Sequence, residues 1–186
     1  ALYHRISEGT ITRVATTVDN TNLIYNISQN AGNSYNTGVE MVVSQELSDK
    51  INMNLNLNGY NNQIDAFTVL SQYPAENIFT ADQQEIYSGN IKLNTNFKFG
   101  KNTEAQLTAI YLAADIIPQG TIDSRFSLDF GIKNAIQNGK GELFLNAADL
   151  LNTMIIRKEI NGNNFSYTSS DYYETQVIRF GYSYKF

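Results

Sequence analysis

The chain has 186 residues, a net charge of −5, no cysteine and a single histidine, His4. A negative net charge argues against a nucleic-acid-binding surface, which needs clustered Lys and Arg. Disulfides, thiolate metal sites, multi-histidine zinc sites and histidine-based catalytic triads lack the residues they need. We therefore expect no metal, no cofactor, no nucleic-acid partner and no enzymatic activity.

The composition favours strands over helices. Asn, Thr, Tyr and Phe are frequent, and Pro occurs only twice, which is typical of strands joined by polar loops. No stretch approaches the roughly 18 consecutive apolar residues of a membrane-spanning helix. Ala1–Ile6 already alternates like a strand, so we expect the numbering to start inside a longer precursor.

Period-2 alternation predicts about eight strands, most of about ten residues. In Ile51–Tyr60 the apolar residues alternate with four asparagines, which could not all find partners inside a soluble β-sandwich. The same two-faced pattern occurs in Ala1–Ile6, Val39–Leu47, Asn90–Phe99, Glu104–Ala113, Arg125–Lys133, Gly141–Leu150 and Val177–Phe186. Both the length and the alternation are typical of transmembrane β-strands.

The connections between these strands alternate between short and long. Short turns are predicted at 48–50, 100–103 and 138–140, where Asn138-Gly139 is the strongest hairpin signal. Long loops are predicted at 7–36, 63–84, 115–122 and 155–171. Outer-membrane barrels have short periplasmic turns and longer extracellular loops, so this pattern predicts an antiparallel transmembrane β-barrel whose last strand runs toward the periplasm. A soluble antiparallel sandwich or jelly roll remains the alternative architecture.

Several short stretches resemble a known family. They are Gly38-Val39-Glu40 at a strand entry, Gln119–Ile122 leading into Phe126–Lys133, Ala148–Thr153 in the predicted penultimate strand, and the aromatic last strand ending in Phe186. Their order over most of the chain is similar to the C-terminal barrel of TonB-dependent outer-membrane receptors, in the branch called the outer-membrane protein β-barrel family.

This resemblance implies that residues 1–186 form the C-terminal part of a barrel of about 22 strands. The plug domain, the earlier strands and the TonB-binding segment would lie upstream. The implied function is energised uptake of a bulky nutrient, such as an iron chelate, an oligosaccharide or a peptide. Implied partners are outer-membrane lipid, the rest of the receptor, TonB and the outer-membrane assembly machinery. A surface lipoprotein is a less favoured partner, because the signature expected after the penultimate strand is missing.

Three sets of side chains are candidates for function. The terminal aromatic row would be lipid contact and assembly signal: Ile178, Phe180, Tyr182, Tyr184 and Phe186. The candidates for lining the lumen are Arg125, Asp129, Lys133, Arg179 and Lys185. Three aromatic residues lie in predicted long loops: Tyr73, Phe79 and Tyr167. They would either contact a ligand or form an interfacial girdle. For Tyr172 and Tyr173 the girdle is the favoured interpretation.

Two further functions stay open at this point. One is a self-contained eight-stranded outer-membrane barrel that acts as an anchor or adhesion module, since eight strands can close a small barrel. The other is a soluble β-sandwich binding module. Strand pairing separates the first from a receptor segment, because hydrogen bonds between the first and last strands would mean closure at eight.

Overall fold

The computed structural model describes residues 1–17, 23–72 and 76–186. Within them the strands are β1 (Leu2–Ser7), β2 (Ile11–Thr17), β3 (Ile24–Asn30), β4 (Ser34–Ser48), β5 (Ile51–Ile64), β6 (Phe67–Ser71), β7 (Asn77–Ala81), β8 (Gln84–Phe99), β9 (Thr103–Leu112), β10 (Asp115–Ile117), β11 (Gly120–Ile122), β12 (Arg125–Ile136), β13 (Gly141–Ala148), β14 (Ile156–Asn161), β15 (Ser166–Asp171) and β16 (Val177–Tyr184). One short 3-10 turn, η1 (Gln137–Gly139), precedes β13. None of the helical structure in these residues is long and apolar enough to cross a membrane.

Eight of the strands form one sheet, which we call the wall. Its order is β1-β4-β5-β8-β9-β12-β13-β16, and every neighbouring pair is antiparallel. The prediction of eight up-and-down antiparallel strands is confirmed. Among the described residues β1 and β16 are not paired with each other, so the wall is an open sheet with two free edges.

Several wall strands are longer than predicted. β4, β5 and β8 have 15, 14 and 16 residues, because main-chain pairing continues where the apolar alternation stops. On β5 the apolar series ends at Leu57, yet the strand pairs with β8 as far as Ile64. The ends of these strands that lie away from the short turns therefore extend beyond the apolar part of the wall.

Short and long connections alternate as predicted. Residues 49–50, 100–102 and 137–140 join wall strands at one end, and residues 8–33, 65–83, 113–124 and 149–176 join them at the other. Asn138 and Gly139 lie in the third short turn with φ of 56° and 85°, a conformation that Asn and Gly tolerate best.

The two faces of the wall differ in chemistry. On one face Asn52, Asn54 and Asn58 of β5 lie opposite Asn96, Asn94 and Asn90 of β8. On the other face Leu55 and Leu57 lie opposite Leu93 and Ile91. Because paired residues of neighbouring strands point to the same side of a sheet, the alternation within single strands becomes one polar face and one apolar face.

The long connections form an ordered layer, which we call the loop layer. It consists of the hairpins β2–β3 and β6–β7 and of a four-stranded sheet, β10-β11-β14-β15. Its buried core is made by Val14, Ala31, Phe67, Val69, Phe79 and Ala81, together with Ile64, the last residue of β5. The long connections, which were predicted only as polar loops, are therefore folded. The main buried core of the described residues lies in this loop layer, beside the end of β5.

One predicted boundary is wrong. Ala148–Thr153 was expected within the penultimate strand, but β13 ends at Ala148 and the following residues form a turn. Asp149 and Asn152 have positive φ of 43° and 54°, which ends the strand conformation. Leu150 N still donates to Leu128 O at 2.7 Å, so the turn remains attached to β12.

Candidate functional site

The terminal aromatic row lies on the apolar face of β16. Ile178 and Phe180 are 69% and 74% exposed, and Tyr182, Tyr184 and Phe186 are exposed as well. Among the described residues β16 pairs with β13 alone, so its other edge has no partner strand there. This placement is what lipid contact requires, and the role of the row as an assembly signal stays a prediction.

The terminal row continues across the wall. A line of cross-strand partners on the apolar face runs through six neighbouring strands, and each residue pairs with the next one. We call such a line a level of the wall; this one is Ile51, Phe97, Ala105, Ile132, Leu145 and Phe180. No charge interrupts this level. A sheet face of this kind is stable when hydrocarbon or a second protein layer buries it.

The polar face contains four of the five predicted lumen-lining residues. Lys133 Nζ lies 3.0 Å from Glu104 Oε2, with both side chains about half exposed. Asp129 Oδ1 accepts a hydrogen bond from the Asp149 main-chain N–H at 2.8 Å. Arg125 and Arg179 share this face, whereas Lys185 follows the last strand and binds Lys140 O through its main-chain N–H. The charges are spread over the face and do not converge on one point.

An open cavity of about 750 Å³ lies on the polar face near the short turns. Apart from Phe97, Ala105 and Ile132, the lining residues belong to the polar face: Asn52, Asn96, Lys98, Glu104, Gln106, Gly131, Lys133, Glu142, Phe144 and Asn146. A second cavity of about 230 Å³ shares Gln106, Gly131 and Asn146 with it. Together they form a groove that crosses β5, β8, β9, β12 and β13.

The floor of this groove is one level of the wall that we call the carboxamide row. Pairing across neighbouring strands brings together Asn52, Asn96, Gln106, Gly131, Asn146 and Arg179. Four of these six side chains are carboxamides. The row depends on the register of six strands, so reading each strand alone did not reveal it.

The loop layer reaches over the far end of the polar face. The Asp115 carboxylate of β10 accepts hydrogen bonds from Tyr60 Oη and Asn62 Nδ2 of β5, both at 2.7 Å. Ser88 of β8 donates to the Ala114 carbonyl at 2.8 Å. These bonds hold the third long connection against β5 and β8, at the end of the wall opposite the groove.

The three loop aromatics have different positions. Tyr73 lies outside the described residues. Phe79 is 7% exposed and packs against Phe67 in the core, with 5.9 Å between ring centroids, so its place in the fold is explained by packing. Tyr167 is half-buried and stacks with Phe165 at 6.2 Å, and its contact with a ligand stays a prediction.

Two important residues of the loop layer were named only as part of a motif. Gln119 is 4% exposed and makes two hydrogen bonds to the main chain of Ala15, at 2.6 and 2.8 Å. At Gly120 a Cβ would overlap the carbonyl of Glu159 on the paired strand β14. The signal was the Gln-Gly dipeptide itself, but its partners are distant in sequence and could not be read from it.

Asp149 organises the turn that replaces the end of β13. Its carboxylate, in a side chain that is 2% exposed, accepts from Thr153 N, Met154 N and Thr175 Oγ1 at 3.0, 3.1 and 2.6 Å. Burial opposes ionisation, but the hydrogen bonds from Thr175, Thr153 and Met154 outweigh it, and the pKa of Asp149 lies below its usual value. The turn is therefore built around a carboxylate.

Within residues 1–17, 23–72 and 76–186 no three His, Asp or Glu side chains come together as a metal ion would require. Asp115, Asp129 and Asp149 instead bind hydroxyl, amide and main-chain donors, and Glu104 pairs with Lys133. The arrangement offers two chemical surfaces: an apolar face suited to lipid and a polar groove suited to a hydrated ligand.

The model of one protein family, the outer membrane protein beta-barrel family, matches residues 1–184. The match includes every wall strand and the whole loop layer. No curated protein matches the chain, and no solved structure does.

Proposed function

Because the chain belongs to the outer membrane protein β-barrel family, we propose that it is a wall segment of a TonB-dependent transporter for a bulky nutrient. Membership of the family indicates a location in the bacterial outer membrane. The transport role is the more specific proposal, and it rests mainly on the open wall. In hydrocarbon each unpaired main-chain N–H and C=O costs several kcal/mol, so the edges at β1 and β16 need partners.

Two arrangements would pair these edges: closure of the eight strands on themselves, or insertion into a wider barrel. A closed eight-stranded barrel has an interior filled by side chains. The polar face instead carries an open groove of about 750 Å³, and β1 and β16 are not paired among the described residues. Both observations favour a wider barrel in which this wall is one arc.

The proposed partners follow from the surfaces. Outer-membrane lipid covers the apolar face, and earlier strands and a plug complete the barrel. TonB supplies energy through the N-terminal part of the whole receptor. The assembly machinery binds the terminal aromatic row, and a surface lipoprotein would contact the loop layer. Nothing in these roles requires enzymatic chemistry. The transported nutrient would be an iron chelate, an oligosaccharide or a peptide.

The alternative function is a self-contained eight-stranded barrel that acts as an adhesion module. The observation in its favour is the buried core of the loop layer around Val14 and Phe79, since a folded surface layer suits a fixed binding surface. This alternative requires β1 to pair with β16.

Engineered disulfides in intact outer membranes distinguish the two, because the chain has no cysteine of its own. The control pair is Asn146→Cys with Arg179→Cys, which face each other across β13 and β16. The test pairs combine Arg5→Cys with Arg179→Cys or with Ser183→Cys. The wide-barrel proposal expects crosslinking in the control pair alone, and equal crosslinking of a test pair would establish closure at eight.

Transport is tested in cells that lack the gene and in complemented cells. The probes are a labelled ferric catecholate, a panel of neutral oligosaccharides and a mixture of hexapeptides, each with and without a protonophore. We expect uptake of at least one probe to need both the gene and the proton gradient. Equal uptake of all three probe classes in cells with and without the gene would overturn the transport proposal.

A further inference from the structure

The carboxamide row has unused hydrogen-bonding capacity. In the part of the chain that the structure describes, no side-chain hydrogen bond involves Asn96, Gln106 or Asn146, and Gln106 and Asn146 are exposed. Carboxamides nearby on the same face are engaged: Asn94 Oδ1 accepts from Thr108 Oγ1 at 2.9 Å, and Asn62 donates to Asp115. Three of the four carboxamides of the row therefore offer free donors and acceptors, whereas Asn52 accepts a hydrogen bond from Asn54 at 3.2 Å.

The groove above the row carries no net charge. Its charged lining residues are two cations, Lys98 and Lys133, and three anions, Glu104, Glu142 and Asp129. Arg179, at the end of the carboxamide row, supplies the third cation. Lys133 and Glu104 already neutralise each other at 3.0 Å. A groove with balanced charges gives no advantage to an anionic chelate or to a cationic peptide.

The shape of the groove fits an extended ligand lying across the strands. Neighbouring strands are about 4.8 Å apart, so Asn96 and Gln106 present amides at a short regular interval. Gly131 has no side chain, and the Asn146 amide oxygen lies over it, 2.9 Å from where a Cβ would stand. The Phe144 ring borders the groove, where it packs over Gly181. The volume of about 750 Å³ lies in the range of small-molecule binding sites.

We propose that the carboxamide row binds a neutral, polyhydroxylated ligand, an oligosaccharide, as it passes the end of the wall that carries the short turns. Each carboxamide both donates and accepts, as each sugar hydroxyl does, and an aromatic ring can pack against the C–H face of a sugar. This inference rests on the proposed transport function and selects one of its three nutrient classes.

The test uses the purified full-length protein in detergent micelles, with calorimetric titration of neutral α-1,4-, β-1,4- and β-1,3-glucan oligomers and β-mannan oligomers. We expect at least one to bind, and Gln106→Ala and Asn146→Ala each to weaken it about fivefold, the effect of one hydrogen bond. Asn94→Ala, on the same face but with its amide bonded to Thr108, is the matched control and should leave the affinity unchanged.

Gly131→Val fills the middle of the row and displaces the Asn146 amide, whose Oδ1 would lie 2.9 Å from the added Cβ, and it should also weaken binding. An oligogalacturonate of equal length, which is anionic, should bind more weakly than the neutral oligomer. Absence of binding by every neutral oligomer, or unchanged affinity in both amide variants, overturns the proposal. A loss of thermal stability in those variants without a change in affinity assigns the row to packing against another part of the protein and equally overturns it.

These outcomes are separate from the fate of the transport proposal. If no neutral oligomer binds, or both amide variants keep the wild-type affinity, while uptake of the ferric catecholate or the hexapeptides is gene-dependent and protonophore-sensitive, transport stands and the oligosaccharide site falls. If gene-dependent uptake is absent for all probes while oligosaccharide binding is about fivefold weaker in the amide variants, the site stands and transport falls.

Discussion

Gln119 and Ala15 are joined by two hydrogen bonds across 104 residues of sequence. The side chain of Gln119 accepts from the Ala15 N–H and donates to the Ala15 carbonyl, as a neighbouring strand would. It thereby joins the third long connection to the first. Asn77 adds a bond to the Thr17 carbonyl at 3.1 Å, and Asn163 adds one to the Ile78 carbonyl at 2.7 Å. The four long connections are thus linked in one layer.

Gln119→Ala should loosen this layer without disturbing the wall. The substitution removes both bonds and leaves buried main-chain groups of Ala15 without partners, which costs about 1–3 kcal/mol. We expect faster hydrogen–deuterium exchange in β2 (Ile11–Thr17) and unchanged exchange in β8 and β9. Gln83→Ala, at an exposed position, is the control. Equal exchange in β2 of both variants would show that the hydrogen bonds between Gln119 and Ala15 contribute little to the stability of the loop layer.

The wall could be predicted from the sequence because its signal is local. Each wall strand from β4 to β16 carries its own alternation, and the connection lengths supply the order. The loop layer could not be predicted in the same way, because bonds such as Gln119 to Ala15 leave no periodicity. Its strands are short as well: β6 (Phe67–Ser71) has only 5 residues.

The candidate site was predicted only in part for a related reason. The faces of Lys133 and Arg179 follow from alternation within their own strands. The carboxamide row needs the register of Asn96, Gln106 and Asn146 on three different strands, and register between strands is a property of the folded sheet. The turn at Asp149 was wrongly predicted as strand, although Ala148-Asp149-Leu150 reverses the alternation of β13 and would put Asp149 on the apolar face with Leu145.

Asp149→Asn should make the free energy of unfolding less dependent on pH in the acidic range. The pKa of Asp149 is below its usual value of 3.8 in the folded protein, so its carboxylate stabilises the fold above that value. This contribution is lost as the pH falls through the lowered pKa. At neutral pH the variant should lose about 1–3 kcal/mol of the free energy of unfolding.

The measurement is urea unfolding of the protein in micelles, followed by tyrosine fluorescence at several pH values from neutral to strongly acidic. The difference between wild type and Asp149→Asn should be constant above about pH 5 and shrink below it. Asp82→Asn, at an exposed position, is the control. A difference that grows as the pH falls would contradict the lowered pKa.

Gly181→Val should disturb the last strand through a specific contact. A Cβ at Gly181 would overlap the ring of Phe144 on β13, and such overpacking costs about 1–3 kcal/mol. The double variant Gly181→Val with Phe144→Ala should recover part of the loss, because the smaller side chain removes the overlap. Gly59→Ala, with nothing within 4 Å of the added Cβ, should be tolerated.

Folding is measured as the fraction of the protein that resists denaturation on unheated gels. If the double variant folds no better than Gly181→Val, the ring contact is excluded as the cause.

The two faces of β13 give the sharpest test of the membrane orientation, because Leu145 and Asn146 are adjacent and point to opposite sides. Leu145 pairs with Phe180 on the apolar face, and Asn146 pairs with Arg179 on the polar face. If lipid covers the apolar face, Leu145→Arg places a charge in hydrocarbon at a cost of up to about 2–4 kcal/mol. Asn146→Arg adds the same charge beside water and should change stability much less, although it repels Arg179. Refolding of both variants into phospholipid vesicles, with urea unfolding, measures the difference. Equal losses in the two variants would mean that the apolar face is not covered by lipid.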